Sequence, residues 1–227
     1  MYNVGELIRD ETFLEELGES LAGHGTPPVL RCAKIKITSR CNLRCVMCKY
    51  WQTTSEETLS SERWRAVFRE MSELGCKKIH FSGGEVFLRK DFLDLVEDAI
   101  ACGMKVNMTT NGTLVDREAA RRMAKMGVNS VSISLDGPDD EAHNAVRGRA
   151  YAFDRSVQTI KWLKRDSKKL KVRINFVVMR GNYKRLPEMV TLAGELGAEE
   201  LLPMPVDEKK VIRNRLTKAQ IRRYNRE

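Results

Sequence analysis

Three closely spaced cysteines form the most specific chemical pattern in the sequence. Cys41, Cys45 and Cys48 are separated by three and then two residues. Thiolates at this spacing can turn inward on one loop, and they are the preferred ligands of soft metals and iron–sulfur clusters. Three thiolates on a four-iron cluster leave one iron open to a small chelating ligand. A closed zinc site needs four ligands, so zinc with a distant fourth ligand and a loop without metal are the alternatives.

Further polar motifs follow later apolar segments. Residues 82–85 read Ser-Gly-Gly-Glu, where glycines allow close backbone approach to a ligand and a carboxylate can accept hydrogen bonds from an ammonium group. Residues 109–112 (Thr-Thr-Asn-Gly) and 134–137 (Ser-Leu-Asp-Gly) suit ligand contacts or ordinary strand-exit turns. Arg147 offers a guanidinium fork that matches a carboxylate, with a solvated surface arginine as the alternative. Each motif alone is weak, so its meaning depends on where the fold places it.

The segments that position these motifs alternate between strand-like and helical patterns. Apolar strand-like segments recur at residues 32–37, 78–82, 104–109, 128–135, 171–178 and 199–204. Helical patterns lie near residues 61–74, 91–101, 116–126, 153–166, 184–196 and 217–226. Four strands follow a glycine that can end a helix, namely Gly75, Gly103, Gly127 and Gly197. Six strand-then-helix units predict an α/β fold with a parallel sheet and crossover helices.

Alternation along the strands predicts how this sheet curves. In residues 171–176 Lys, Arg and Asn alternate with Val, Ile and Phe, and five of the six strands have such a polar face. Helices on both sides would require two apolar faces, and a closed eight-stranded barrel fills its interior with branched apolar residues. An antiparallel sheet with one wet face is the alternative, but the intervening helices argue against it. We therefore predict a partial (β/α)6 barrel, an open TIM-like barrel whose polar lumen holds a ligand.

Length and composition set the organisation of the chain. The 227 residues are 42% hydrophobic and 31% charged, which is ordinary for a soluble protein. No apolar run approaches a bilayer span, and the acidic start lacks a signal-peptide pattern. We therefore expect no membrane helix, no export and a cytoplasmic location. We divide the chain into an N-terminal helix and linker (1–28), a barrel (29–206) and a basic C-terminal helix (207–227).

Positive charge is concentrated in the last third. The net charge is +9, and residues 161–227 carry 18 basic against 8 acidic side chains. Such asymmetry can indicate an anionic partner. This region has no known nucleic-acid-binding motif and few aromatic residues for base stacking. We therefore rank a nucleic-acid-binding protein, and an iron–sulfur electron-transfer protein, below an enzyme.

The spacing Cys-x3-Cys-x2-Cys after a first strand resembles the signature of the radical S-adenosylmethionine (radical SAM) enzymes. The resemblance extends through most of residues 31–205. It implies a partial (β/α)6 barrel, a 4Fe–4S cluster on the three cysteines and S-adenosylmethionine on the open iron. It also implies reductive cleavage, with an electron from a flavodoxin- or ferredoxin-type donor, to methionine and a 5′-deoxyadenosyl radical. That radical abstracts a hydrogen from a small-molecule or peptide substrate, in a biosynthetic or maturation pathway.

The resemblance also implies roles at the cofactor. The family's motif for the methionine amino group is matched by Gly83, Gly84 and Glu85. Ser134 corresponds to a cofactor contact, and Arg147 corresponds to an arginine that pairs with the methionine carboxylate. The family often has an aromatic residue before the third cysteine. This chain has Met47 there, whose backbone can still serve the adenine.

On the substrate side, the candidates are Thr110, Arg173 and Asn175. The segment around Arg173 resembles the fifth strand of the branch that makes the pyranopterin precursor of molybdenum cofactor, where a basic residue faces substrate phosphate. Met204 lies in a segment that resembles the sixth strand of that branch and is expected against the adenine. Peptide-modifying members of the SPASM type and haem-pathway members have similar strands. The resemblance therefore predicts an anionic group on the substrate but not the substrate itself.

The remaining cysteines lie near predicted strand starts. We expect Cys32, Cys76 and Cys102 to be buried small hydrophobic side chains rather than ligands of a second cluster. His143 is expected to have a local structural role. Many relatives carry a cysteine-rich C-terminal domain with auxiliary clusters. We expect this chain to be either a member without that domain or a core fragment that ends where such a domain begins.

Overall fold

The computed structural model describes residues 9, 11–23, 30–52, 59–206 and 214–224. Within them, six strands form one sheet: β1 (Cys32–Thr38), β2 (Lys78–Gly83), β3 (Lys105–Thr110), β4 (Ser130–Ser134), β5 (Lys171–Val178) and β6 (Glu200–Pro205). Each strand pairs in parallel with the next along the chain, and β1 and β6 form the two edges. The sheet is therefore open, which confirms the predicted partial barrel.

At least one helix connects each strand to the next. The helices are α1 (Glu11–Leu21), α2 (Ser61–Glu73), α3 (Phe92–Ala101), α4 (Arg117–Met126), α5 (Asp140–Arg147), α6 (Ala152–Asp166), α7 (Leu186–Glu195) and α8 (Lys218–Tyr224). Short 3-10 turns lie at Tyr50–Gln52, Val86–Leu88 and Tyr183–Arg185. In the part of the chain that the structure describes, no helix combines the length and apolar character needed to cross a membrane.

The ends of these helices follow from their sequences. The side chain of Ser60 accepts a hydrogen bond from the backbone N–H of Arg63 at the start of α2, and Asp116 caps α4 in the same way. Gly127 ends α4 with a φ of +82°, a left-handed conformation that favours glycine. The other three glycines expected to end helices also have positive φ. These local signals explain why the predicted bounds lie within about two residues of the observed ones.

The face of the sheet that packs against the helices is apolar. On β2 this face carries Ile79 and Phe81, both fully buried. The ring of Phe81 makes edge contacts with Phe68 of α2 and Phe92 of α3, with centroids 5.9 and 5.6 Å apart. Burying an aromatic side chain of this kind contributes about 2 kcal/mol. This layer forms the hydrophobic core and holds the strand ends in place.

The opposite face of the sheet, which we call the lumen face, is polar. On β1 to β5 its side chains include Lys34, Lys36, Lys78, His80, Ser82, Lys105, Asn107, Thr109, Ser130, Ser132, Ser134, Lys171, Arg173 and Asn175. β6 adds Glu200, Leu202 and Met204. The alternation predicted from the sequence is therefore present on the strands.

Some expectations need correction or lie outside the described residues. The helix α5 was not predicted. Cys76 is buried as expected, whereas Cys32 is exposed and Cys102 only partly buried. The predicted N-terminal helix and linker at 1–28 include residues 1–8, 10 and 24–28, which lie outside the described residues.

Candidate active site at the carboxyl end of the sheet

The loop that follows β1 carries the three cysteines and is held from both sides. At the exit of β2, the N–H groups of Gly84 and Glu85 donate to carbonyl groups just before the first cysteine, at 2.8 and 2.7 Å. On the other side, the N–H groups of Arg44 and Val46 donate to carbonyls at the end of α5, at 3.1 and 2.9 Å. Four backbone hydrogen bonds therefore fix the cysteine loop between β2 and α5.

Gly83 and Gly84 are needed because two backbones touch here. A Cβ at Gly83 would overlap the carbonyl oxygen of Thr38, and a Cβ at Gly84 would overlap that of Arg40. Gly83 also has a φ of +135°, which side-chain-bearing residues rarely adopt. The sequence suggested close approach to a ligand. The structure shows a nearer cause, which is close approach to the cysteine loop.

All three cysteines line one cavity of about 140 Å³ at this end of the sheet. We call it the cysteine cavity. Gly83, Gly84, Ser134 and Arg147 also line it, so four of the predicted cofactor residues lie together with the cysteines. The cavity is completed by polar groups from the ends of β2 and β3 and by an aromatic ring, namely Ser82, Thr109, Thr110, Asn111 and Tyr50.

The groups around the cysteine cavity fit an iron–sulfur cluster that carries a polar ligand. Among the described residues, no three Cys, His, Asp or Glu side chains lie close enough to share one metal ion. The cysteines of a cluster need not meet that condition, because each binds a different iron. Ser82 Oγ and Arg147 Nε are buried and have no hydrogen-bond partner within the described ranges. Both atoms are therefore available to a polar ligand in the cavity.

Burial dominates the acid–base chemistry of the thiols. It raises the pKa of Cys41 to about 11. It also raises the pKa of Cys45, although the positive charge of Arg147 opposes this. Both thiols are therefore protonated at neutral pH in the metal-free protein. Iron binding as thiolate then releases protons.

Arg147 is buried at the C-terminus of α5, so the alternative of a solvated surface arginine is wrong. Only 7% of the residue is exposed. Its Nη2 forms an ion pair with Asp136 Oδ2 at 2.7 Å, and its Nη1 donates to Cys45 Sγ at 3.6 Å. Burial acts to lower the pKa of Arg147, but the charge of Asp136 and the hydrogen bond to Cys45 outweigh it and the pKa is raised. A charged guanidinium thus lies between a carboxylate and a cysteine of the loop.

Asp136 anchors this arginine, a role that the motif at residues 134–137 does not indicate, because it is typical of a turn or a ligand contact. Its Oδ1 accepts from the N–H of Val177 at 2.7 Å, and its carbonyl accepts from the side-chain amide of Asn182 at 3.0 Å. Its N–H donates to His143 Nδ1 at 3.0 Å. Burial lowers the pKa of His143 to about 3, so the ring is neutral and can accept this bond. This contact agrees with the structural role expected for His143.

Glu85 is not among the residues that line the cysteine cavity, and its expected contact with an amino group stays a prediction. The residue is fully buried. Its carboxylate accepts hydrogen bonds from the hydroxyl of Thr110 at 2.6 Å, from the N–H of Asn111 at 2.7 Å and from the N–H of Phe87 at 3.2 Å. Burial raises the pKa of Glu85, and these three bonds oppose the rise. The side chain links β2 to the exit of β3.

The same link holds Thr110, which also lines the cysteine cavity; its substrate-side role stays a prediction. Its hydroxyl donates to Glu85 and accepts from the N–H of Gly112 at 3.0 Å, and the residue is buried. The neighbouring Thr109 has lumen parity and lines the cysteine cavity, and its hydroxyl is hydrogen-bonded to His80 at 2.8 Å. Alternation along β3 was the signal that could have added Thr109 to the substrate-side candidates.

The remaining candidates lie farther along the lumen face. Asn175 is the register partner of Ser134 but does not line the cysteine cavity. Arg173 lies two residues before Asn175, and its Nη2 pairs with Glu200 at 3.0 Å. Met204 lies on the edge strand with 38% of its surface exposed and is not among the cavity residues.

Met47 is buried in a small apolar cluster at the cysteine loop. Its neighbours in this cluster include Leu43, Cys45, Met179 and Val206. The side chain thus shields a cysteine from water, which lowers the local dielectric around the sulfur. Contact of its backbone with an adenine stays a prediction.

A chain of side-chain hydrogen bonds, also missed from the sequence, ties the cysteine loop to the exit of β3. The amide of Asn111 donates to Asn42 Oδ1 at 2.9 Å, and the amide of Asn42 donates to the hydroxyl of Thr113 at 2.8 Å. Asn42 stands directly after the first cysteine. No spacing in the sequence indicates that it meets residues about seventy positions later.

Comparison with known proteins identifies the family. The profile of the Radical SAM superfamily matches residues 35–193. The PqqA peptide cyclase of Bradyrhizobium diazoefficiens is 31% identical over 169 residues, which cover 74% of this chain and 44% of that protein. The Fe-coproporphyrin III synthase of Methanosarcina barkeri is 35% identical over 162 residues, which cover 70% of this chain and 40% of that protein. The chain spans less than half the length of these two relatives.

Solved structures share the fold. Streptococcus suis SuiB bound to S-adenosylmethionine has a TM-score of 0.78 at 21% identity, with 94% of this chain and 50% of that chain covered. The enzyme anSMEcpe with bound AdoMet has a TM-score of 0.73 at 21% identity, with 86% and 57% covered. Members of the matched family use a 4Fe–4S cluster and S-adenosylmethionine. On the extent of the profile match, this chain belongs to the Radical SAM superfamily.

Proposed function

We propose that this chain is the catalytic barrel of an enzyme that cleaves S-adenosylmethionine at a 4Fe–4S cluster held by Cys41, Cys45 and Cys48. When bound, the cluster supplies the electron that splits the cofactor into methionine and a 5′-deoxyadenosyl radical. The observation that carries the proposal is the cysteine cavity, where the three sulfurs, two glycines and a buried arginine meet at the carboxyl end of a parallel sheet. We assign this barrel to residues 29–206.

The polar groups of the cavity hold and orient the cofactor. Arg147 Nε, which is buried without a partner among the described residues, donates to the methionine carboxylate. The peptide carbonyls of Gly83 and Gly84, in the motif that Glu85 completes, accept from the methionine amino group. The hydroxyl of Ser134 donates to the cofactor from the end of β4. Asp136 keeps Arg147 in place while these contacts form.

The substrate is proposed to be a peptide. Two observations favour a peptide over a small molecule. A relative at 31% identity is named a peptide cyclase, and SuiB has been solved with its precursor peptide SuiA in a fold that covers the whole of this chain. An open sheet edge with Leu202 and Met204 exposed leaves room for an extended chain. The name of the Methanosarcina relative favours a tetrapyrrole-type small molecule as the second candidate.

The electron is proposed to come from a flavodoxin- or ferredoxin-type donor. Arg40 and Arg44 are exposed on the cysteine loop, and Lys49 is half-buried just after it. Positive charge at this position attracts acidic redox proteins. The cysteines described in the structure are all free thiols, which agrees with a reducing compartment, and we propose the cytoplasm.

Anaerobic reconstitution with iron and sulfide, followed by dithionite and S-adenosylmethionine, tests this function. We expect 5′-deoxyadenosine from the wild-type protein and none from Cys45→Ala. The matched control is Cys32→Ala, since Cys32 is an exposed cysteine outside the loop, and it should keep the product. A cluster without 5′-deoxyadenosine would instead support the iron–sulfur electron carrier, and product from Cys45→Ala would refute the ligand assignment.

A further inference from the structure

The lumen face concentrates positive charge. Every charged side chain of β1 to β5 lies on it, and all of them are basic: Lys34, Lys36, Lys78, Lys105, Lys171 and Arg173. Among the strand residues the only carboxylate is Glu200 on β6, which already pairs with Arg173. The helix-facing side of the same strands has no charged residue. The sheet therefore presents a strongly cationic wall to the open lumen.

Most of these charges have no counterion among the residues that the structure describes. Lys34, Lys36, Lys105 and Lys171 are exposed, and within the described ranges none of the four forms an ion pair. Lys36 lies over the ring of Tyr50, 5.1 Å from its centroid. Lys78 and Lys105 are register partners on neighbouring strands.

The register places one cation beside the cysteine cavity and a second one farther along the lumen face. Lys36 is the register partner of Ser82, which lines the cavity. On the far wall, Arg173 lies two residues from Asn175, the partner of the cavity residue Ser134. A molecule whose reacting carbon lies at the cavity can therefore place anionic groups against both walls.

Curvature brings these walls to face each other. Burial and the positive charges of Lys34, Lys78 and Arg173 together lower the pKa of His80 on β2 to about 4. Arg173 lies on β5, three strands from β2, which is about 14 Å across a flat sheet. A partial barrel is curved rather than flat, so cations on β1 and β5 face one lumen.

We propose that the lumen binds a substrate that carries two or more carboxylates, held by Lys34, Lys36 and Lys171 together with Arg173. The proposal rests on the proposed function, since it names the substrate class of the same site. Lysines on separate strands suit separate single charges. A phosphate group is instead bound by converging N–H groups of a glycine-rich loop or a helix N-terminus. The carboxylates belong either to acidic side chains of a peptide or to a small polycarboxylic acid.

A matched pair of triple variants tests the site. The lumen variant is Lys34→Gln/Lys36→Gln/Lys171→Gln. The control is Lys90→Gln/Lys125→Gln/Lys161→Gln, three exposed lysines off the lumen face, so both variants have the same net charge. Cluster-loaded protein is titrated anaerobically with a labelled, end-blocked hexapeptide that has two Glu residues, and with the same peptide in which both are Gln. Fluorescence anisotropy gives the dissociation constants.

The wild-type and control proteins should bind the Glu peptide about tenfold more tightly than the Gln peptide. The lumen variant should lose most of that preference. An equal loss in both triple variants, or no preference in the wild type, would overturn the proposal. Competition by propane-1,2,3-tricarboxylate distinguishes the two sources of the carboxylates. It should displace the Glu peptide fully if the site binds a small polycarboxylic acid, and only weakly if the site binds a peptide.

The two proposals fail in different ways. Formation of 5′-deoxyadenosine is measured on the same wild-type sample without peptide. If the product forms but the Glu preference is absent, the lumen inference is wrong and the function stands. If the preference is present and depends on the lumen lysines but no product forms, the cationic site stands and the radical chemistry is wrong.

Discussion

Charged side chains are buried and paired at the carboxyl end of the sheet, whereas they are exposed and mostly unpaired within the described residues on the lumen face. The first region, which we call the rim, comprises Glu85, Asp136 and Arg147 around the cysteine loop. Each of these charges is at most 7% exposed and bonded to several groups of the protein. On the lumen face, lysines on β1, β3 and β5 are exposed and have no ion pair in the described part of the chain.

The contrast suggests different roles for the two regions: the rim holds the cofactor groups in a fixed geometry, and the lumen face selects the substrate. A buried ion pair is favourable only while its geometry is kept, so the rim is rigid and suits a cluster and cofactor that do not vary. Exposed lysines keep most of their hydration and their rotamer freedom, so they can adapt to a substrate and be exchanged at little cost in stability. The same barrel can thereby keep one chemistry and change its substrate.

The largest expected effect comes from a methyl group at the rim. Gly84→Ala would place a Cβ on the carbonyl oxygen of Arg40, so the cysteine loop must move. We expect iron affinity to fall by about tenfold or more, measured as iron and sulfide per chain after reconstitution. Gly194→Ala is the matched control, because nothing lies near its Cβ position in α7. It should load normally and gain about 0.5–1 kcal/mol of stability.

Normal loading of Gly84→Ala would show that the loop tolerates displacement. The rim would then be no more rigid than the lumen face, and the proposed difference in rigidity between the two regions would be wrong.

The next effect is electrostatic. Asp136→Asn leaves the buried charge of Arg147 without its carboxylate partner, 2.7 Å away in the native protein. We expect the free energy of unfolding of the cluster-free protein to fall by about 3 kcal/mol, measured by urea denaturation. The loss should be smaller in the cluster-loaded protein, because thiolates then supply negative charge beside Arg147.

Asp98→Asn is the matched control for this carboxylate. Asp98 pairs with Arg65 at 2.8 Å on the surface, so its loss should cost less than about 1 kcal/mol. Equal losses for the two variants, or a larger loss in the loaded protein, would contradict the role assigned to Asp136.

The fold was predictable because its signals are local. Alternation such as that of Val172, Arg173 and Ile174 requires only two-residue periodicity, and a glycine such as Gly127 marks a helix end by its own backbone freedom. The grouping of the three cysteines in one cavity was predictable for the same reason, since their spacing lies within one loop; their role as cluster ligands stays a prediction. Even α5 had local signals that were passed over, with acidic residues at its start and Gly148 at its end.

The orientation of the rim side chains was not predictable from such signals. Glu85 is oriented by Thr110 and Asn111, which lie twenty-five and twenty-six residues later. Asp136 is oriented by Val177, forty-one residues later. Packing between strands decides which of several nearby donors a carboxylate accepts a hydrogen bond from. This packing cannot be read from a single sequence.

A smaller effect links the lumen charge to pH. Because burial and cationic neighbours lower the pKa of His80 from 6.5 to about 4, the folded protein keeps the ring neutral while the unfolded chain protonates first. The stability that a neutral His80 contributes is therefore present above pH 6.5 and is lost as pH falls from 6.5 towards 4. Lys34→Gln removes one of the cations and should raise the pKa of His80.

An NMR titration of the His80 ring protons measures this change directly. Lys125→Gln, on the outer surface of α4, should leave the His80 titration where it is in the wild type. If Lys34→Gln does not change the pKa of His80 either, the cations of the lumen face do not act on this ring.

The smallest expected effect tests both regions with one kind of substitution. Glu200→Gln removes the carboxylate that pairs with Arg173, as Asp136→Asn removes the partner of Arg147. The lumen pair is partly exposed, with 23% and 41% of the two side chains accessible, so water can replace the lost contact. We expect urea denaturation to show a change in the free energy of unfolding below about 1 kcal/mol, against about 3 kcal/mol at the rim.

Because Arg173 is then released to an incoming anion, binding of the Glu peptide should tighten at the same time. A loss of stability as large as that of Asp136→Asn, or weaker binding of the Glu peptide, would show that Glu200 supports the lumen wall rather than limiting its charge.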